Sequence, residues 1–211
     1  IDEDDFYSLM IRYLERCRDE GIVHTEMMFD PQTHTERGID FSVFMSGFGR
    51  TMEDAKRQWG QSSLLIMCFL RHLPEESAFE TLKAAEPFKS QISSVGLDSS
   101  ELGHPPEKFE RVYAAAGKQG YRLVAHAGEE GPPTYIVEAL DRLKVERIDH
   151  GVRCMEDAEL VERLVKAQIP LTVCPLSNVR LCVFGTMADH PIRHMLKRGL
   201  NVTVNSDDPP Y

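Results

Sequence analysis

The 211-residue chain has no run of about 18 apolar residues, so no segment of it is expected to span a membrane as a helix. No signal peptide opens it. Basic residues are scarce: 24 Lys and Arg against 34 Asp and Glu give a net charge of −10, which argues against the basic face that non-specific nucleic-acid binding needs. No glycine-rich phosphate loop follows an early strand pattern. The five cysteines (Cys17, Cys68, Cys154, Cys174, Cys182) are odd in number and never spaced CxxC, so a Cys-based zinc knuckle is not expected. Several lie in apolar runs, such as Cys68 in "LLIMCFL" and Cys174 in "IPLTVCP", and the set reads as reduced core residues of a cytoplasmic protein.

What is present is a regular alternation. Apolar residues make up 42% and charged residues 27%, the profile of a soluble globular protein, and the length suits a single core. Short apolar runs at 22–30, 62–73, 92–101, 121–130, 145–153, 169–178 and 200–210 read as strands. Amphipathic segments at 5–21, 40–60, 75–90, 105–120, 134–144, 157–168 and 191–199 read as helices, several closed by glycine. The strand interiors are almost continuously apolar, as in strands covered on both faces. Seven βα units fit a doubly wound sheet or a (β/α)₈ barrel. Polar residues gather at the strand ends ("FDP", "RHLP", "LDSSE", "HAGEE", "IDHG", "PLSN", "NSDDP"), which is where barrel enzymes carry their chemistry. The expected fold is therefore α/β, an incomplete TIM (β/α)₈ barrel of about seven βα units forming one domain over 1–211. The chain starts without Met and stops at "SDDPPY", so truncation at both ends is expected, with one barrel strand missing.

Three strand ends stand out. His126 and Glu129 follow one run, His150 another, and Asp207 with Asp208 the last. Zinc accepts His nitrogen and Asp oxygen and leaves catalytic positions open for water, whose pKa it lowers. A second carboxylate and a histidine could orient that water and move its proton. Singly, each residue has a plainer reading: a hydrogen-bonded strand-end histidine, or a turn capped by Asp207. Their shared placement at the same end of successive strands favours a site.

Those same segments carry a resemblance. "VAHAGEE", "RIDHGVR", "TVCPLSN" and "VNSDDPPY" resemble, in order, the signatures of the adenosine/adenine deaminase family of metal-dependent hydrolases. Within it, "GLDSSE", "RIDHG" and "CPLSN" look closer to the adenine deaminase branch. The resemblance implies a (β/α)₈ barrel and one Zn2+ per full-length subunit. It also implies hydrolysis of a small purine base, adenine, to hypoxanthine and ammonia in purine salvage. No nucleic-acid or membrane partner is implied, and the expected location is the cytoplasm, with the nucleus as a second. His126 matches a histidine ligand of the zinc and Asp207 its aspartate ligand. Glu129 matches the acid that protonates purine N1, and His150 the histidine that positions and deprotonates the attacking water. Asp208 matches the aspartate that hydrogen-bonds N7. Asp149 and Glu101 are placed where they could accept from the N9–H edge of a free base, the plainer reading being a salt bridge of Asp149 with Arg147 or Arg153. Glu130 is expected to face solvent or a basic partner.

One departure is plain. The family takes two further zinc ligands from an HxH pair, and none occurs in this chain. His24 reads as mid-strand, His34 as loop, His72 with Arg71 as support for the rim of the site, and His104, His190 and His194 as solvated surface. The HxE and PCxxC signature of the cytidine-deaminase type is also absent. Adenosine or an N6-substituted adenine are alternative substrates, and a barrel that has lost its metal and its catalysis is the alternative of another class.

Overall fold

The computed structural model describes residues 1–207. Their contacts divide the chain into two compact units, one of Ile1–Phe69 and Glu76–Ser94, the other of Leu70–Glu75 and Val95 onward.

The first unit opens with helix α1 (Glu3–Asp19). The Asp2 carboxylate accepts from the amides of Asp4 and Asp5, and Asp5 accepts from the amide of Asp2, a reciprocal cap that satisfies the free N–H groups of the first turn. Phe6, Met10, Leu14 and Cys17 recur at helical spacing and are all buried. Strand β1 (His24–Phe29) and short helix α2 (Pro31–Thr35) follow, then α3 (Phe41–Trp59), capped by Asp40 and ended at Gly60. Strand β2 (Ser62–Leu70) pairs parallel to β1, with His24 opposite Ser62. Helix α4 (Glu75–Ala84) then follows in sequence. The core is aromatic: Phe6, Phe29, Phe44 and Phe48 meet largely edge to face, Phe6 lying 5.8 Å from Phe44 and 5.7 Å from Phe48. Gly47 lets α1 and α3 approach, since a Cβ there would fall 2.8 Å from the Glu3 carbonyl oxygen and 2.8 Å from the Phe6 Cβ.

Strand β3 (Ile92–Asp98) carries the chain from the first unit into the second. There follow α5 (Glu110–Lys118), β4 (Arg122–Ala127), α6 (Pro133–Glu138), β5 (Arg147–His150) and α7 (Ala158–Ala167). Then come β6 (Leu171–Val173), α8 (Pro175–Arg180), α9 (Ile192–Lys197) and β7 (Val202–Val204). Strands β4 to β7 pair in chain order and all parallel, with Val124 opposite Arg147, Ile148 opposite Leu171, and Leu171 opposite Val202. Parallel neighbours need a crossover, and a helix lies between each pair. Among the described residues, no helix is long and apolar enough to cross a membrane.

Three expectations change. The strand expected over 169–178 stops at Val173, because Pro175 has no N–H to give a ladder and instead opens α8 as its first residue. His34 lies in α2 rather than a loop, its ring 5.0 Å from Phe6 and 5.5 Å from Phe44, and burial lowers its pKa. Four cysteines are buried as expected, but Cys182 is exposed.

Candidate active site

The site lies in the second unit and is assembled at strand ends. At the end of β4, His126 Nδ1 faces the Leu97 carbonyl at 3.0 Å. A carbonyl only accepts, so Nδ1 carries the proton and Nε2 keeps a free lone pair, the form that binds a metal. The buried Arg71 guanidinium pins this end, donating from Nη1 to the His126 carbonyl at 2.8 Å and from Nε to the His104 carbonyl at 2.9 Å.

Beyond Ala127 the chain turns through Gly128, whose φ of +70° suits glycine, and wraps around one carboxylate. Glu101 is 3% exposed. Its Oε1 accepts from the amide of Gly128 at 2.6 Å, and its Oε2 from those of Glu129, Glu130 and Gly131 at 3.0, 2.8 and 2.8 Å. Glu101 is thus the anchor of this loop: in place of the purine edge expected for it, the structure gives this carboxylate four backbone amides, three on Oε2 and one on Oε1.

The anchored loop presents Glu129. Its Oε1 accepts from Asn178 Nδ2 at 2.8 Å and lies 3.4 Å from His150 Nδ1. Burial, and then the negative charges of Asp207 and Glu101, push its pKa up to about 8, so the carboxyl is mostly neutral at pH 7. His150, at the end of β5, is 2% exposed and takes a left-handed backbone (φ +65°) that histidine tolerates better than most residues. Burial and then the neighbouring His126, whose ring is 5.0 Å away, lower its pKa and keep it neutral. Asp207, beyond β7, places Oδ2 3.8 Å from His150 Nε2. The ligand atoms of His150, Cys174 and Asp207 all lie within 4.8 Å of one another. Imidazole, carboxylate and thiol are all groups that zinc accepts, and the His126 ring lies 5.0 Å from that of His150.

Asp149 stands in register with His126 on one side and Thr172 on the other. Its Oδ1 accepts from Arg147 Nε at 2.9 Å and Thr172 Oγ1 at 2.6 Å, while the buried Oδ2 has no hydrogen-bond partner among the described residues. The plainer reading, a salt bridge to Arg147, is realised on one oxygen only. Asp208 lies outside the described residues. Glu130 is exposed, its carbonyl accepting from Arg153 Nη1 at 2.6 Å.

Of the remaining histidines, His24 opens β1 instead of lying mid-strand, and His72 is exposed with Nδ1 2.7 Å from Ser99 Oγ. His194 is exposed as expected and His104 half-buried. His190 is not solvated: it is 4% exposed, with Nε2 3.1 Å from Asn178 Oδ1. Asn178 and His190 received no role from the sequence. The one signal was an asparagine inside the segment "CPLSN", whose apolar run gives it no reason to be there.

The sequence profile of the adenosine deaminase family matches residues 1–211. An adenine deaminase of Hahella chejuensis is 63% identical over 209 residues, covering 99% of this chain and 63% of that protein. The crystal structure of an adenine deaminase from Arthrobacter aurescens aligns with a TM-score of 0.97 at 52% identity, over 99% of this chain and 64% of that one. An amidohydrolase from Burkholderia ambifaria, solved with bound Zn, aligns with a TM-score of 0.92 at 30% identity, over 99% and 59% of the two chains. This chain therefore spans less than two thirds of the length of these relatives. Its fold is α/β, an incomplete TIM (β/α)₈ barrel, and the chain belongs to the adenosine deaminase family.

Proposed function

We propose that the protein containing this chain hydrolyses adenine to hypoxanthine and ammonia, with one zinc ion bound, as a step of purine salvage in the cytoplasm. The observation that carries this reading is the opposed tuning of two neighbours: Glu129 is held protonated while His150, 3.4 Å away, is held neutral. Two titratable groups pushed apart in this way are the mark of an acid paired with a polar partner. The adenine deaminases at 63% and 59% identity support the substrate.

His126 and Asp207 would hold the zinc, and the bound Zn of the Burkholderia amidohydrolase supports that metal. When bound, zinc makes water a nucleophile at neutral pH. Glu129 gives its proton to N1 as C6 gains hydroxide; the amino group leaves as ammonia with the hydroxyl proton, and the proton lost by water restores Glu129. His150 orients the attacking water. Asp208 is assigned to N7, and Asp149 Oδ2 to the N9–H of the free base; a nucleoside would leave that buried oxygen unpaired, costing about 1–3 kcal/mol. The chain contains no HxH pair, and two protein ligands are fewer than the three of catalytic zinc sites, so residues 1–211 made alone are expected to release no ammonia.

The test is ammonia release by the full-length protein, on adenine and on adenosine, with Glu129→Gln beside it. Turnover on adenine should exceed that on adenosine. It should fall as pH rises through about 8, because the protonated carboxyl is the active form and ionisation removes it. Glu129→Gln should lose about 10²-fold or more with zinc content unchanged. Near-normal turnover in that variant would overturn the assignment of the acid.

A further inference from the structure

His190 precedes α9, is almost wholly buried, and takes no part in the reaction as drawn above. Its ring stands edge-on to Phe184 at 4.9 Å. Its Nδ1 lies 3.2 Å from the backbone N of Ile192, and a backbone N–H can only donate. In the neutral ring Nδ1 is therefore the acceptor and the proton sits on Nε2. Burial lowers the pKa of this imidazole, in keeping with a neutral ring.

The consequence runs inward. Nε2–H faces Asn178 Oδ1 at 3.1 Å, which requires the amide oxygen on that side. The NH2 group of Asn178 must then point the other way, where it has two acceptors and two hydrogens: Glu129 Oε1 at 2.8 Å and His150 Nδ1 at 3.2 Å. With Oε1 occupied as an acceptor, the proton of neutral Glu129 belongs on Oε2. With Nδ1 of His150 occupied as an acceptor, its proton belongs on Nε2, the nitrogen 3.8 Å from Asp207. A reversed amide would invert both placements, setting a carbonyl oxygen against Glu129 Oε1 and His150 Nδ1. The backbone of Asn178 is fixed as well, its carbonyl accepting from Val183 and Phe184 at 2.9 and 3.3 Å, so the amide has one remaining freedom, the flip.

We infer that His190 is a positioning residue: by donating to Asn178 it sets the amide so that Glu129 carries its proton on Oε2 and His150 on Nε2. This rests on the reading of Glu129 as the acid and of His150 as the residue that orients the water.

Two substitutions in the full-length protein separate the bonds His190 makes. Asparagine can still accept from Ile192 but does not reach Asn178; glutamine extends an NH2 about as far as Nε2. His190→Asn should lower kcat by about 10- to 100-fold, the usual loss for a partner one step from the chemistry, with KM and zinc content little changed. His190→Gln should recover most of that loss. Full kcat in His190→Asn, or an equal loss in both variants, would overturn the inference. A second measurement needs no turnover: long-range ¹⁵N–¹H spectra of labelled protein report histidine tautomers directly. Nε2–H at both His190 and His150 supports the chain of donors, and Nδ1–H at either one overturns it. If the wild-type protein proves inactive on adenine, the proposed function fails and the spectra alone decide the role of His190.

Discussion

The unit of residues 1–69 and 76–94 and the unit of residues 70–75 and 95–207 differ in where they accept local backbone strain. The first holds eight of the ten phenylalanines, and among its described residues no side chain beyond glycine sits at positive φ. The second holds all six that do: Ser99, Lys144, His150, Gln168, Cys182 and Asp207. Left-handed backbone costs such residues about 1–2 kcal/mol each. Three of the six, Ser99, His150 and Asp207, stand at or just past the carboxyl end of a strand, where the candidate site lies. One unit is packed for stability with each residue in its preferred conformation. The other gives up preference where a side chain has to be aimed.

That contrast can be broken from either side. The largest effect is expected for Phe44→Ala, which empties the centre of the aromatic core where Phe44 is fully buried. Large-to-small changes of this kind cost about 3–5 kcal/mol. Denaturant unfolding of the full-length protein should show that loss, while kcat per folded molecule stays unchanged; a fall in kcat would mean that the first unit does more than pack. Next is Gly128→Ala. The new Cβ would collide with Ile136 Cδ1 and lie 2.7 Å from its Cγ1, at a φ of +70°. Strain and overpacking together should cost about 2–4 kcal/mol. Here turnover should fall as well, because the residue after it is Glu129; stability lost with turnover intact would separate the turn from the site. The smallest effect is a gain. Lys144 is exposed, left-handed at φ +58°, and stands before the start of β5, the end of that strand opposite His150. Lys144→Gly should raise stability by about 0.5–1 kcal/mol, the strain relieved outweighing the added freedom of the unfolded chain, and leave turnover alone. A stability loss there would show that positive φ in this unit is not strain.

Much of this architecture was legible because it is written in short-range pattern. Apolar runs located all seven strands, and polar residues at their ends located His126, Glu129, His150 and Asp207. The pattern failed where apolar character outlasts the strand: "LTVCPLSN" reads as one run, yet the proline turns its second half into α8. It failed again where the partner is remote. Nothing near Glu101 in sequence reveals that four amides some 30 residues later close on it, and nothing near His190 reveals Asn178. A carboxylate or an imidazole looks the same in sequence whether it meets substrate, solvent or a backbone loop. Only the folded chain distinguishes them.

The grip of Glu101 on residues 128–131 has a consequence in time as well as in space. Four consecutive amides share one acceptor group, so none can exchange its hydrogen with water until that carboxylate lets go. Glu130 is exposed, and its amide would ordinarily exchange quickly. Instead, Gly128, Glu129, Glu130 and Gly131 should exchange slowly and together, at the rate of a single opening. Those four amides then act as a clock for how often the loop carrying Glu129 lets go of Glu101.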